Sequence, residues 1–219
     1  KYNSNNIIDC ISLSSDVYWS EAMKKGIDYR LNLIESDDYN KNFIILANDD
    51  IELIIDNVKN FFKYVSVSDN VKACVGSIVN SLTGELTYGG RRRAGLIKHK
   101  FKLVEYFEKD LIETFNCNFV LLRSDVLNLV GGFRRFKHAF ADYDLGFRIN
   151  KKGIKIDIYE LPIAQNLNSQ LEEDRKKKSR SYKMRLFLND RKKFYFSHYS
   201  FFTATIITYL PIIKHKLFR

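Results

Sequence analysis

The sequence predicts an α/β fold in which helices flank a mostly parallel sheet. The 219 residues suit one such domain with a short appendage, and 45% of them are hydrophobic, enough for a sizeable core. The clearest element is Phe43–Ala47, an apolar run that leads into Asn48, Asp49 and Asp50. A short apolar run bounded by polar residues is typical of a buried strand in a parallel sheet.

The other predicted elements alternate along the chain. Strands are predicted at 7–13, 71–79, 115–123 and 154–164, and helices at 17–33, 51–65, 124–130 and 142–152. Ser14 and Asp16 provide an N-cap for the first helix, and the positions of Gly131 and Gly153 predict where the last two helices end. This alternation supports one α/β domain.

Composition restricts the partners and the compartment. A net charge of +10 favours anionic partners such as nucleotide phosphates, nucleic acid or an acidic membrane surface. Cys10, Cys74 and Cys117 lie far apart beside apolar runs, which is typical of a reducing compartment, and we expect a cytoplasmic protein. No run of 18 apolar residues is present, so no spanning helix is expected. The chain begins with Lys1 and not Met, and we expect residues to precede it.

Two acidic clusters are candidate sites. Asn48, Asp49 and Asp50 follow the predicted strand, where open α/β sheets bind ligands, and their oxygens suit Mg²⁺ or Mn²⁺. The alternative is that they cap the next helix. Asp142 and Asp144 open a predicted helix whose dipole stabilises their charge, or they are simple N-terminal acids. Both clusters fall at predicted strand-to-helix junctions.

Two further features have open interpretations. Arg91, Arg92 and Arg93 follow Gly89 and Gly90, and they either hold a diphosphate or an acidic acceptor, or form a solvated basic loop. Trp19 lies near the start of a predicted helix, where it packs in the core or faces the ligand crevice.

Four sets of residues resemble the family 2 glycosyltransferases of the GT-A fold, of the bacterial surface-polysaccharide type. They are residues 45–51, residues 118–133, residues 141–148 with Gly153, and residues 16–26 together with 83–90. The resemblance covers about residues 7 to 165 in the expected order. It implies a Rossmann-type GT-A domain at 1–170 that inverts the anomeric carbon and uses a nucleotide-sugar donor, a glycan or lipid-linked acceptor, and Mn²⁺ or Mg²⁺.

The resemblance also assigns roles to residues. Asp142 is the catalytic base, Asp144 a supporting acid, and Asp50 with Asn48 holds the metal. The donor side is assigned to Trp19, Asp49 and Arg91, and the acceptor side to Gly131, Gly132, Phe133 and Arg148. The sequence departs from the family at Ala141, which replaces a Glu, and at Asn48, which replaces an acid. A late metal-binding His is not evident near Gln165, Asn166 and Asn168. We expect the first strand–helix–strand unit of the family to be missing from this sequence.

The segment 171–219 is predicted to be a helical, basic and amphipathic extension. Its aromatic and basic residues from about 185 onward predict peripheral docking on an anionic membrane, at the inner face of the cell membrane. The alternative is packing on the catalytic domain or a homodimer interface. Two other functions stay open: a non-catalytic basic module that binds nucleic acid, and an inactive glycosyltransferase-like fragment. Of these hypotheses the sequence favours an active transferase that does not bind nucleic acid.

Overall fold

The computed structural model describes residues 9–68, 70–95, 99–137, 139–166 and 187–217. Its helices are α1 (Trp19–Asn32), α2 (Ile55–Ser66), α3 (Ser124–Val130), α4 (Ala141–Lys151), α5 (Leu188–His198) and α6 (Phe201–Leu217). Its strands are β1 (Phe43–Ala47), β2 (Ile51–Leu53), β3 (Ala73–Val75), β4 (Ile78–Asn80), β5 (Leu86–Tyr88), β6 (Gly90–Ala94), β7 (Lys100–Leu103), β8 (Thr114–Phe115), β9 (Phe119–Arg123), β10 (Asp157–Ile158) and β11 (Ala164–Asn166). The predicted boundary at 170 and residue Asn168 lie outside the described residues.

The α/β class is confirmed, but the described sheets are mixed and do not form the predicted mostly parallel sheet. Their strand orders are β1-β9-β3-β10, β2-β11-β4-β5 and β7-β6-β8. Only the β3–β10 and β4–β11 pairs are parallel in the described part. Strand β1 pairs antiparallel with β9, with Phe43 opposite Arg123, and it forms one edge of its sheet. Phe43 and Ile45 are each 38% exposed, so β1 is not the fully buried strand that its composition predicts.

Several element boundaries also differ from the prediction. The described residues 9–13 form no strand, and the predicted strand at 71–79 is divided between β3 and β4. Ile51 begins strand β2 and not a helix, because β2 pairs antiparallel with β11 and places Ile51 opposite Asn166. Helix α2 therefore starts at Ile55, and its buried face consists of Phe61 and Val65.

The main core joins the first sheet to helices from both ends of the chain. Leu122 of β9, Leu145 of α4 and Phe194 of α5 are fully buried in one cluster, which also contains Ala204 and Ile207 of α6. A second cluster surrounds Phe61 beside α2. The described part of 171–219 thus packs into the same core as the rest of the protein and does not build a separate one.

Helix α6 continues through Pro211, which has no N–H to give to the carbonyl of Ile207. The Arg191 guanidinium of α5 donates to that carbonyl at 2.9 Å. The α5–α6 contact therefore satisfies a backbone group that the proline leaves unpaired.

Helix α4 lies unusually close to β8 because Gly146 has no side chain. A Cβ atom on Gly146 would lie 2.8 Å from the Thr114 Cα atom. The Thr114 hydroxyl also donates to the Tyr143 carbonyl at 2.9 Å, which fixes this contact one turn before Gly146. This close approach determines the position of the first turn of α4, which carries Asp142 and Asp144.

We expect Gly146→Ala to lower the free energy of unfolding by about 1–3 kcal/mol, the usual cost of overpacking. The better helix propensity of alanine offsets at most about 1 kcal/mol of that loss. The matched control is Gly26→Ala in α1, where a Cβ atom meets nothing within 4 Å and the substitution is expected to stabilise. Urea denaturation of both variants measures the difference. A Gly146→Ala variant as stable as the Gly26→Ala variant would contradict the close packing.

Candidate functional site

A cavity of about 320 Å³ opens where β1, α1 and the first turn of α4 meet. Trp19, Asn48 and Asp142 all line it, although they are far apart in the sequence. Cys117 and Asn118, which precede β9, form another wall. Three of the predicted site residues are therefore brought together by the fold.

The Asp142 carboxylate is half-buried at the edge of this cavity. One of its oxygens accepts the Tyr143 N–H at 2.9 Å, and the other accepts the Asn116 side-chain amide at 3.3 Å. Burial raises the pKa of Asp142 above its ordinary value, although both hydrogen bonds and the charge of Arg91 oppose that shift. A carboxylate with a raised pKa is a better proton acceptor than one with an ordinary pKa.

The backbone before α4 aims this carboxylate. Phe140 has a φ of 70°, the left-handed region, which is rare for a residue with a large side chain. Its ring stacks on Phe194 at 4.9 Å, and its carbonyl accepts the Asp144 N–H at 2.8 Å. The strained residue is thus held by packing against α5, and such strain is often found at functional sites.

Arg91 reaches Asp142 through an intermediate amide. Its Nε donates to the Asn116 Oδ1 atom, while Asn116 donates to Asp142 from its other end. Arg91 and Arg93, two apart on strand β6, also stack over Tyr143 and Phe147, one turn apart on α4. The three arginines thus all lie in strand β6 and do not form a solvated loop.

The other two arginines are paired with carboxylates. Arg92 lies 3.1 Å from Glu108, and Arg93 Nε donates to Glu113 at 2.8 Å. Only Arg91 of the three is directed toward the acids of α4. Asn116, which connects it to Asp142, carries no motif that would single it out in the sequence.

Asp144 is fully buried and faces away from the cavity into a cluster of cations. Its carboxylate lies 2.8 Å from Arg148 Nε, 2.9 Å from His198 Nε2 and 3.4 Å from Arg134 Nη1. Burial alone would raise the pKa of Asp144, but the hydrogen bond from His198 and the charge of Arg148 outweigh it and hold the pKa below its ordinary value. Asp144 is therefore ionised and anchors this cluster.

The residues predicted for the acceptor side lie behind the cavity. Gly131 takes the left-handed conformation, with a φ of 73°, and ends α3 as predicted. The Gly132 carbonyl accepts from Arg148 at 2.7 Å. Phe133 is 1% exposed, and its ring meets Trp19 edge-on at 5.2 Å. In the described structure these four residues support Trp19 and Asp144 and do not line the cavity.

The first acidic cluster forms a turn between β1 and β2. The Asn48 N–H donates to the Asn118 carbonyl at 3.1 Å, which fixes Asn48 against the cavity wall. Asp49 and Asp50 are exposed, and neither lines the cavity. Asn166 is paired with Ile51, so strand β11, where a late metal ligand would be expected, lies beside this turn.

The described residues contain no group of three or more His, Cys, Asp or Glu side chains able to hold a metal. This donor set does not form an all-protein cage. An ion at the Asn48–Asp50 turn would have to take most of its ligands from substrate phosphates or water, as Mg²⁺ often does.

Asp190 of α5 holds the lip of the cavity. It is 4% exposed, and its two carboxylate oxygens accept the backbone N–H groups of Lys137 at 3.0 Å and Ala139 at 3.1 Å. Both Lys137 and Ala139 line the cavity. On the opposite side of this loop, the Ser20 hydroxyl accepts the Phe136 N–H at 3.0 Å. The sequence places Asp190 in a basic, aromatic segment, and nothing there indicates a role at the site.

Comparison with known proteins bears on this site. The sequence profile of Glycosyl transferase family 21 matches residues 114–214. That span contains Asn116, Asp142, Asp144 and Asp190, whereas Trp19 and Asn48 of the cavity lie outside it. The match supports a glycosyltransferase. It also supports an enzyme of class EC 2.4, which takes a sugar donor and an acceptor. No curated protein matches the chain.

Proposed function

We propose that the protein is an inverting glycosyltransferase of the family 2, GT-A type that acts in surface-polysaccharide synthesis. Its substrates would be a nucleotide-diphosphate sugar and the hydroxyl of a glycan or lipid-linked acceptor. The observation that carries the proposal is the Asp142 carboxylate. It lines the same cavity as Asn48, is held by Asn116, and has its pKa raised by burial.

In this proposal Asp142 accepts the proton of the acceptor hydroxyl as its oxygen attacks the anomeric carbon. The bond from that carbon to the diphosphate oxygen breaks in the same step, so the configuration inverts. Asn116 and the N–H of Tyr143 fix the carboxylate, and Trp19 provides an apolar wall for a sugar or base. A positioned general base contributes about 10²–10⁴-fold to a rate.

Asp50 and Asn48 are the residues that would hold Mn²⁺ or Mg²⁺ together with the donor diphosphate. The bound ion would supply neutralisation of the charge on the leaving diphosphate. Asp49 and Arg91 are the further donor-side residues of the proposal, and Gly131, Gly132, Phe133 and Arg148 act on the acceptor side only as supports.

Isothermal titration with UDP and with GDP, each with Mn²⁺, tests donor binding. Nucleotide release from a panel of UDP- and GDP-sugars then tests turnover. Metal-dependent binding with turnover supports the enzyme, and binding without turnover across the panel indicates the inactive alternative. Salt-sensitive binding to random RNA without nucleotide binding would favour the nucleic-acid module.

Asp50→Ala is expected to abolish metal-dependent nucleotide binding, because it removes the carboxylate proposed to hold the ion. The matched control is Asp56→Ala, which removes an exposed acid of the first turn of α2, paired with Lys59 at the surface. Titration with UDP or GDP at fixed Mn²⁺ provides the measurement. Equal affinity of the two variants for the metal-bound nucleotide would show that Asp50 does not bind the ion.

The partner of helix α6 is the second part of the proposal. None of the described helices is long and apolar enough to cross a membrane. The face of α6 that turns away from its buried residues Ala204, Ile207 and Thr208 is nevertheless apolar, with Phe202 74% and Ile213 51% exposed. Phe201, 78% exposed, lies beside it at the start of the helix. An exposed apolar helix face in a segment rich in cations is typical of a helix that lies on a lipid surface.

Charge favours an anionic lipid surface over a second copy of the chain. From 187 to 219 the single acidic residue is Asp190, whose carboxylate accepts hydrogen bonds from the backbone of the cavity lip. The basic residues of this segment would repel their own copies across a dimer interface. The prediction that the aromatic and basic segment from about 185 onward contacts lipid is too broad, because Phe194, Tyr195 and Ile207 of that segment lie in the core. The side chains of Lys214, Lys216 and Arg219 lie outside the described residues.

We expect the double variant Phe201→Ser/Phe202→Ser to float with anionic vesicles on the order of tenfold less than the parent, because two large apolar side chains no longer enter the lipid. Nucleotide binding should not change. Phe107→Ser is the control, since Phe107 is 80% exposed on a different part of the surface. A parent protein that does not float at low salt would exclude membrane docking.

A further inference from the structure

A second cavity, of about 390 Å³, shares no lining residue with the one at Asp142. It lies between the end of α3, the last turns of α4 and the end of α5. Five of its lining residues carry basic side chains and none is acidic: Arg134, Arg148, Lys151, Lys152 and His198. Because these residues come from three separate elements, the fold and not a basic run in the sequence gathers them.

The charges of this cavity are not balanced. Asp144 is the carboxylate beneath it, and it already contacts Arg148, His198 and Arg134. Lys151 and Lys152 form no ion pair in the described part of the chain. Four formal positive charges therefore meet one carboxylate, before any proton on His198 is counted.

The basic side chains of this cavity differ in how strongly contacts fix them. Arg148, with its side chain 10% exposed, is directed inward, toward Asp144 and the Gly132 carbonyl. Arg134, with its side chain 47% exposed, contacts Asp144 only at 3.4 Å. Lysines at the end of a helix are stabilised by its dipole, and this accounts for Lys151 and Lys152. The dipole does not account for the position of Arg134 at the same cavity.

We propose that this second cavity binds a diphosphate-bearing ligand, through Arg134, Lys151 and Lys152. Guanidinium and ammonium groups bind phosphate oxygens by charge-assisted hydrogen bonds. The volume of the cavity suits a small phosphorylated group. Leu129, 55% exposed at its edge, provides an apolar contact for the part of the ligand that carries the diphosphate. The source of the diphosphate is either a soluble molecule or a lipid headgroup.

The site does not depend on the proposed sugar transfer. Asp142, Asn48 and Asp50 lie outside its lining, so variants at those positions should leave it unchanged. Binding at the second cavity can therefore succeed or fail separately from donor binding at the first.

The test is isothermal titration of the full chain with inorganic pyrophosphate, in EDTA and at low salt. The parent should bind one equivalent saturably. Lys151→Gln/Lys152→Gln and Arg134→Gln should each weaken binding on the order of tenfold, as expected when charge-assisted hydrogen bonds are lost. The control Lys59→Gln/Lys63→Gln removes the same charge from α2. Asp142→Asn should bind as the parent does.

A second arm distinguishes the two sources. The parent and the same variants are mixed with vesicles containing diacylglycerol pyrophosphate, a lipid whose headgroup is a diphosphate, with and without competing pyrophosphate. Pyrophosphate binding alone indicates a soluble ligand, and vesicle binding that depends on Arg134, Lys151 and Lys152 indicates a lipid headgroup. Either result supports the site. Absence of both, or an equal loss in the α2 control, would overturn it.

Discussion

Asp142→Asn is expected to reduce turnover by about 10²–10⁴-fold, the usual contribution of a general base. The amide keeps the size of the carboxylate and fits the same cavity wall, but it cannot accept the proton of the acceptor. Nucleotide binding and the free energy of unfolding should stay close to those of the parent. The measurements are nucleotide release with the active donor and titration with the nucleotide. Asp37→Asn, an exposed acid in the turn before β1, is the control.

The pH profile adds a readout that a structural role would not affect. Because burial raises the pKa of Asp142, the acidic limb of the rate profile should lie above the ordinary range of an aspartate. The Asn116 amide stabilises the ionised form, so Asn116→Leu should raise that pKa and move the limb to higher pH. Turnover of Asp142→Asn within about threefold of the parent would exclude a general base of the usual strength.

Asp144→Ala is expected to lower the free energy of unfolding by about 3–5 kcal/mol, because it leaves the buried Arg148 without its carboxylate. The matched control is Asp28→Ala in α1. Asp28 also pairs with a cation four residues away, Lys24, but both side chains are more than 40% exposed. Such exposed pairs contribute about 0.2–1 kcal/mol. Equal losses in urea denaturation would show that the cluster around Asp144 contributes no more than a surface pair.

The same carboxylate predicts the direction of a pH effect. The pKa of Asp144 is lower in the folded protein than in the unfolded chain, so its stabilisation is fully present above the unfolded value, near 3.9. It is lost as the pH falls through the folded value. Parent and Asp144→Ala should therefore differ most in stability near neutral pH and converge in acid.

The helices that carry the site could be predicted from the sequence. The predicted bounds of α3 match those observed, and those of α4 lie within one residue, because apolar spacing and a terminal glycine are local signals. Asn48 after β1 and Asp142 in the first turn of α4 could each be singled out from local signals, and the fold brings both to one cavity.

The remainder depends on contacts that no local pattern contains. The direction of β1 is decided by β9, and Ile51 becomes a strand residue only because β11 lies beside it. His198 reaches Asp144, and Asp190 reaches the cavity lip, across more than fifty residues of sequence. A polar residue in a basic segment gives no sign of such a partner, so these roles became visible only in the fold.

Because Asp190 of α5 holds the lip of the cavity at Asp142, ligand binding in that cavity and the docking of α5 are thermodynamically linked. Any ligand that binds only when Lys137 and Ala139 are in place must also favour the docked position of α5. By thermodynamic reciprocity, any interaction that favours this docking must raise the affinity for the ligand by the same factor. Attachment of α6 to a surface would therefore act as an effector of donor affinity, and a saturating donor would in turn strengthen the attachment.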